Sequence, residues 1–89
     1  LSSFNHPMMI ASKSLAPALA TGNSVVLKPS EQTPLTAVLL AEIALEAGIP
    51  AGVLNVIQGL GPVAGAALCE HPDVAKITFT GGTGPGRSI

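Results

Sequence analysis

The sequence predicts an α/β fold in which short parallel strands are covered by helices, and three observations carry that expectation. The chain is 47% hydrophobic but only 2% aromatic, so its apolar content is Ala, Val, Ile and Leu, the composition of sheets buried on both faces. Three short, β-branched runs alternate with helical patterns. Each strand-to-strand step takes about 20 to 30 residues, as a right-handed crossover requires. Doubly wound parallel packing follows.

The first element is a helix over roughly Pro7 to Ala20, stopped by Gly22. Pro17 in its interior predicts a kink or a break, because proline removes a donor and crowds the preceding turn. The run SVVL, Ser24 to Leu27, is the first strand. A second helix is the clearest in the chain. Thr33 is its expected N-cap, Pro34 its first residue and Gly48 its end, with Pro50 beyond. Leu35, Val38, Leu39 and Ile43 fall on one face, with Glu42 and Glu46 beside it, and that face is expected on the sheet. VLNVI, Val53 to Ile57, is the second strand, and a helix of small residues follows from about Pro62 to Glu70. AKITF, Ala75 to Phe79, is the third strand, leading into a glycine-rich turn where another helix starts.

With 89 residues the chain is one small domain with a marginal core. Charged residues make up 10%, low beside the roughly 25% of ordinary soluble domains, so much of the surface is expected to face other protein. The chain opens at Leu1 and stops just past that helix start, and is expected to be part of something longer. A formal charge of -1 with four scattered Lys and Arg argues against a nucleic-acid partner. The apolar stretches fall short of the ~20 residues a membrane span needs, so no membrane partner is expected. Cys69 is the only cysteine, which excludes an internal disulfide, and no His has a metal-ligand partner at useful spacing. Cytoplasm, or an organelle matrix, is the expected compartment.

In doubly wound sheets ligands bind at the carboxyl ends of the strands. After SVVL come Lys28, Pro29, Ser30 and Glu31. Lys28 as donor and Glu31 as acceptor could take the two hydroxyls of a ribose, and Glu31 would repel a 2′-phosphate, favouring NAD over NADP. An incidental charge pair in a solvated loop is the alternative. After VLNVI, a turn containing Gly61 and Pro62 leads to Val63, Ala64, Gly65, Ala66 and Ala67. A planar adenine could lie on that surface, or the small residues merely pack. After AKITF, residues Thr80 to Gly86 read GxTxxG from Gly81 to Gly86. Their backbone N–H groups could bind a pyrophosphate. Asn5, at a helix entry, is either an N-cap or an amide that donates to a developing oxyanion. His6 reads as a surface or packing residue, His71 as a helix terminator and Cys69 as structural.

The runs LAPALATGNSVVLKPSEQTPLTA (Leu15 to Ala37), EAGIPAGVLNVIQGLGPVAGAAL (Glu46 to Leu68) and KITFTGGTGPGR (Lys76 to Arg87) resemble the aldehyde dehydrogenase superfamily, in collinear order over essentially the whole chain. The resemblance implies a Rossmann-like coenzyme domain of which residues 1–89 are part, the catalytic and oligomerisation domains lying outside this chain. It implies NAD as cofactor, with NADP an alternative, a small-molecule aldehyde as substrate, and a homodimer or homotetramer. By resemblance, Lys28 and Glu31 contact the adenosine ribose, and Ser30 belongs to the coenzyme site. Gly61, Pro62 and Gly65 border the adenine, Gly81, Gly82, Thr83 and Gly86 lie by the pyrophosphate, and Phe4 lies near the coenzyme. Asn5 holds the oxyanion of a thiohemiacetal formed on a downstream cysteine. The isolated chain is accordingly expected to be inactive.

Three departures stand out. Phe4 occupies a position where the family usually has Trp. Ser14 stands where many members carry a Lys of the proton relay, with Lys13 one place earlier. Gly81, Gly82 and Thr83 replace a common GST, which leaves the pyrophosphate to backbone amides. A non-catalytic structural unit of the same fold, and a CoA-acylating or semialdehyde dehydrogenase relative, are the competing readings.

Overall fold

A computed structural model describes all 89 residues. It contains helix α1 (Pro7–Ala20), strand β1 (Val25–Leu27), helix α2 (Leu35–Glu46), strand β2 (Leu54–Val56), a wide turn over Gly61–Gly65 continuing into helix α3 (Ala66–Glu70), and helix α4 (Thr83–Arg87). β1 and β2 pair in parallel, Val25 opposite Leu54 and Leu27 opposite Val56, with α2 as the crossover between them. The fold class is α/β, as expected.

α1 has the predicted ends and runs through Pro17 without a break. The proline leaves the Lys13 carbonyl without its usual donor, but both residues are exposed, so water can satisfy it. α2 stops where Gly48 takes a positive φ of 98°. There the Ile49 N–H reaches Ala44 O at 3.0 Å and the Gly48 N–H reaches Leu45 O at 3.1 Å, the paired bonds of a Schellman ending. At the other end the expectation fails. Thr33 does not cap α2: the flanking residue is Pro34, and the Thr33 hydroxyl is buried with no hydrogen-bond partner.

The buried face of α2 also differs from the sequence expectation. Ala37 and Ala44 are buried and Leu40 packs on the core, whereas Leu35, Val38, Leu39 and Ile43 are exposed. The helix is apolar nearly all round, so periodicity alone could not choose its inner side. The structure places the small residues inward and keeps the helix close to its neighbours. The core gathers Ala11 and Leu15 of α1, Leu27 of β1 and Ala37 of α2, with Val25, Leu54 and Val56 around them. α1 and α2 thus cover one face of the sheet, and the other face, carrying Val26 and Asn55, is open.

Residues 75–79, expected as a third strand, are not a regular strand of this sheet, which has two. Their ladder partner is Leu1 alone: the Leu1 nitrogen donates to Thr78 O at 2.9 Å and the Thr80 N–H donates to Leu1 O at 3.1 Å. A strand needs a neighbour along its whole length, and here only its end has one.

Candidate functional site

The two strand exits and the segment after Phe79 meet at one end of the sheet. The Ile57 N–H bonds Leu27 O at 3.0 Å, the Ser2 N–H bonds Lys28 O at 3.1 Å, and the Thr80 N–H bonds Leu1 O at 3.1 Å. The residues after β1, after β2 and after Phe79 are thereby tied side by side.

Lys28 is the buried charge at this end, 5% exposed. Its ammonium donates to Pro29 O at 2.9 Å and lies 3.7 Å from the Glu31 carboxylate, whose side chain is half exposed. A lysine ammonium has three donors, so Nζ retains capacity for a ligand oxygen. Its stem runs beside Gly65, where an added Cβ would lie 3.8 Å from Cδ. The β1 exit and the small-residue segment therefore form one surface. Ser30 braces the loop between Lys28 and α2: its hydroxyl accepts the Gln32 N–H at 3.3 Å and its carbonyl accepts the Thr33 N–H at 3.1 Å.

Gly61 and Pro62 open the wide turn, in which the Ala66 N–H reaches back to Gly61 O. The helix predicted from Pro62 to Glu70 is thus split, its first turn widened and only Ala66–Glu70 regular. Such widened turns often mark functional sites. Gly59, in the turn that follows β2, is tightly constrained. Its φ is 144° and an added Cβ would lie 2.8 Å from the Ala64 Cβ. Gly59→Ala is expected to destabilise the fold by about 1–3 kcal/mol, through both backbone strain and that clash. A lower urea midpoint would register the loss, and an unchanged one would mean the turn relaxes freely.

Gly81, Gly82 and Thr83 form the turn before α4, and none of their amides donates a backbone hydrogen bond. Phe79 lies over this turn. An added Cβ on Gly81 would come 2.5 Å from its ring, and one on Gly86 3.3 Å. The glycines are thus needed partly to seat that ring.

Asn5 does not cap α1. The flanking residue is His6, in a left-handed conformation with φ 51° and no side-chain cap. Asn5 Oδ1 instead accepts the Ser3 hydroxyl at 2.8 Å, which orients the amide and leaves Nδ2 as a donor. Phe4 beside it is exposed. Cys69 is a free, half-buried thiol in α3, and the Asp73 N–H donates to His71 Nδ1 at 3.2 Å just past that helix. No cluster of three or more His, Cys, Asp or Glu able to hold a metal is present.

The sequence model of the aldehyde dehydrogenase family matches residues 1–89. The chain belongs to that family. It is 60% identical over 86 residues to a phenylacetaldehyde dehydrogenase of Pseudomonas fluorescens and 56% identical to an aldehyde dehydrogenase of Enchytraeus buchholzi. In each case 97% of the chain is covered, and the chain spans 17% of the relative's length. Among solved structures, a variant of the P. syringae indole-3-acetaldehyde dehydrogenase in complex with NAD+ superposes with a TM-score of 0.81 at 60% identity, over 82% of the chain and 15% of that protein. A Burkholderia cenocepacia protein assigned as an aldehyde dehydrogenase gives 0.95 at 52% identity, over 98% of the chain and 18% of its own. This aldehyde dehydrogenase chain therefore shares its fold with proteins that have been crystallised holding NAD+.

Proposed function

We propose that residues 1–89 are part of the coenzyme-binding domain of an NAD-dependent aldehyde dehydrogenase, and that the whole protein oxidises an aldehyde to a carboxylic acid. The observation that carries this reading is the Lys28 ammonium, 3.7 Å from the Glu31 carboxylate, at the carboxyl end of β1 with Gly65 alongside. The donor set fits a dinucleotide. Lys28 Nζ donates to one ribose hydroxyl, Glu31 accepts from the neighbouring one, and Gly65 leaves room for a flat ring. The amides of Gly81, Gly82 and Thr83, which donate no backbone hydrogen bond, would hold the pyrophosphate, as backbone donors do in anion-binding turns. When bound, the nicotinamide supplies the hydride acceptor.

Asn5 is the one residue of this chain assigned to the reacting atoms. Its free Nδ2 donates to the oxyanion that forms when a cysteine thiolate adds to the aldehyde carbon, a thiohemiacetal step whose nucleophile lies outside these residues. The Ser3 hydroxyl on Oδ1 restrains the amide and leaves Nδ2 free to donate.

Glu31→Gln in the full-length protein tests the coenzyme site. A carboxylate accepting from a hydroxyl is replaced by a neutral amide, so NAD should bind about tenfold more weakly, or ~1.4 kcal/mol, the lower end for a hydrogen bond to a charged group. The ratio of NAD to NADP affinity should fall, since the like-charge repulsion of a 2′-phosphate is removed. Titration calorimetry with both coenzymes checks this. Unchanged NAD affinity would take Glu31 out of the ribose site.

A further inference from the structure

His6 holds a backbone conformation that its place in the sequence opposes. Its φ is 51° and its ψ 53°, and every other positive φ in the chain belongs to a glycine. A side chain with a Cβ is crowded there, and His, with Asn and Asp, is one of the few types that enter the region at all. Pro7 opposes it too, because the residue before a proline is driven toward extended backbone with ψ of about 120–160°. The side chain does nothing to offset this: the imidazole is exposed and caps none of the free amides of α1.

The segments on either side hold the turn in place. Upstream, the Ser2 N–H is tied to Lys28 O at 3.1 Å, just past β1. Downstream, α1 is anchored by Ala11 and Leu15 in the core, and the Ile10 N–H already bonds His6 O at 3.0 Å. Residues Ser3 to His6 cross between these fixed points, with the change of hand at His6. Strained backbone that its surroundings enforce gathers at functional sites. The residue His6 carries is Asn5, whose Oδ1 accepts the Ser3 hydroxyl at 2.8 Å. Ser3 restrains the Asn5 amide, whereas His6 sets where the Asn5 backbone stands relative to α1.

We propose that His6 is a positioning residue for Asn5, acting through its left-handed backbone and not through its imidazole. This role rests on the reading of Asn5 as an oxyanion donor. Consecutive Cα atoms lie about 3.8 Å apart, so an extended His6 would displace Asn5 on the scale of ångströms. A misplacement of about 1 Å is enough to lose on the order of 10² in rate.

Steady-state kinetics of the full-length protein, with acetaldehyde and phenylacetaldehyde as aldehydes of different bulk, tests the role. His6→Asn removes the imidazole but tolerates the left-handed region, so kcat should stay within about twofold. His6→Val sets a β-branched residue there, and kcat should fall about 10–100-fold with both aldehydes while KM and NAD affinity stay within about twofold. His6→Ala opposes the conformation less than Val, and its kcat should fall about threefold to tenfold; it decides the matter if His6→Val does not fold. In an Asn5→Ala background neither His6→Val nor His6→Ala should lower kcat further, because nothing is left to position. Equal losses in His6→Asn and His6→Val overturn the proposal, since the imidazole would then be the acting group. A loss confined to KM overturns it as well, because the side chain would then touch the substrate. So does a loss that persists in the Asn5→Ala background. A full-rate Asn5→Ala enzyme removes the oxyanion reading itself, whereas a slow Asn5→Ala beside full-rate His6→Val and His6→Ala removes the positioning role alone.

Discussion

Asn5→Ala in the full-length enzyme is expected to lower kcat by about 10²–10³ while leaving NAD affinity within twofold, a loss typical of removing one donor from an oxyanion site. The basis is local. Asn5 is exposed, spends Oδ1 on the Ser3 hydroxyl at 2.8 Å and caps no helix, so truncating it disturbs neither α1 nor the core. A structural role would therefore show as a lowered melting temperature, and a catalytic one as a lowered kcat at unchanged melting temperature. Single-turnover measurements should place the effect at the proposed thiohemiacetal step rather than at coenzyme release. Asn5→Asp should be at least as damaging, because it sets a carboxylate against the developing negative charge. Ser3→Ala, which frees the amide to rotate, should cost less than Asn5→Ala. A full-rate Asn5→Ala enzyme would remove the residue from the reaction.

What the sequence revealed and what it concealed divide along physical lines. The ends of α1, the stop of α2 at Gly48 and the two paired strands were legible because each depends on residues within a few positions of one another. The closeness of Lys28 and Glu31 was legible in their spacing of three at a strand exit, and the structure brings the pair to 3.7 Å with Gly65 adjacent. The inner face of α2 was not legible. Leu35, Val38, Leu39 and Ile43 offer a stripe as good as any, and only the depth available beside α1 and β1 selects Ala37 and Ala44 instead. The packing constraint on Gly59 was not legible because it arises from Ala64 folding back on it, nor was that on Phe79, whose ring packs on glycines that follow it. Residues 75–79 have strand composition but pair only through Leu1; a ladder cannot be inferred from one side.

Leu15→Ala should remove much of the stability of the isolated chain, and a matched change on the opposite kind of site should not. Leu15 is 5% exposed and packs α1 against Leu27 and Ala37. Deleting it forfeits its transfer free energy and opens a cavity, together about 2–5 kcal/mol. A domain of this length ordinarily holds roughly 4–13 kcal/mol, and one with few buried side chains belongs toward the lower end. Urea unfolding followed by circular dichroism should therefore show Leu15→Ala largely unfolded or with its midpoint sharply lowered. Leu35→Ala is the counterpart: that residue is 79% exposed, so its truncation should change stability by no more than about 0.5 kcal/mol. The pair discriminates between two orientations of α2. If Leu35 were on the sheet, as its spacing suggests, both substitutions would destabilise comparably. If Ala37 and Ala44 are the inner face, Ala37→Leu should instead be the damaging change in α2, at about 1–3 kcal/mol, because the close approach to Leu27 leaves no room for extra methylenes. Equal midpoints for Leu35→Ala and Leu15→Ala would mean that α2 is rotated from the position described.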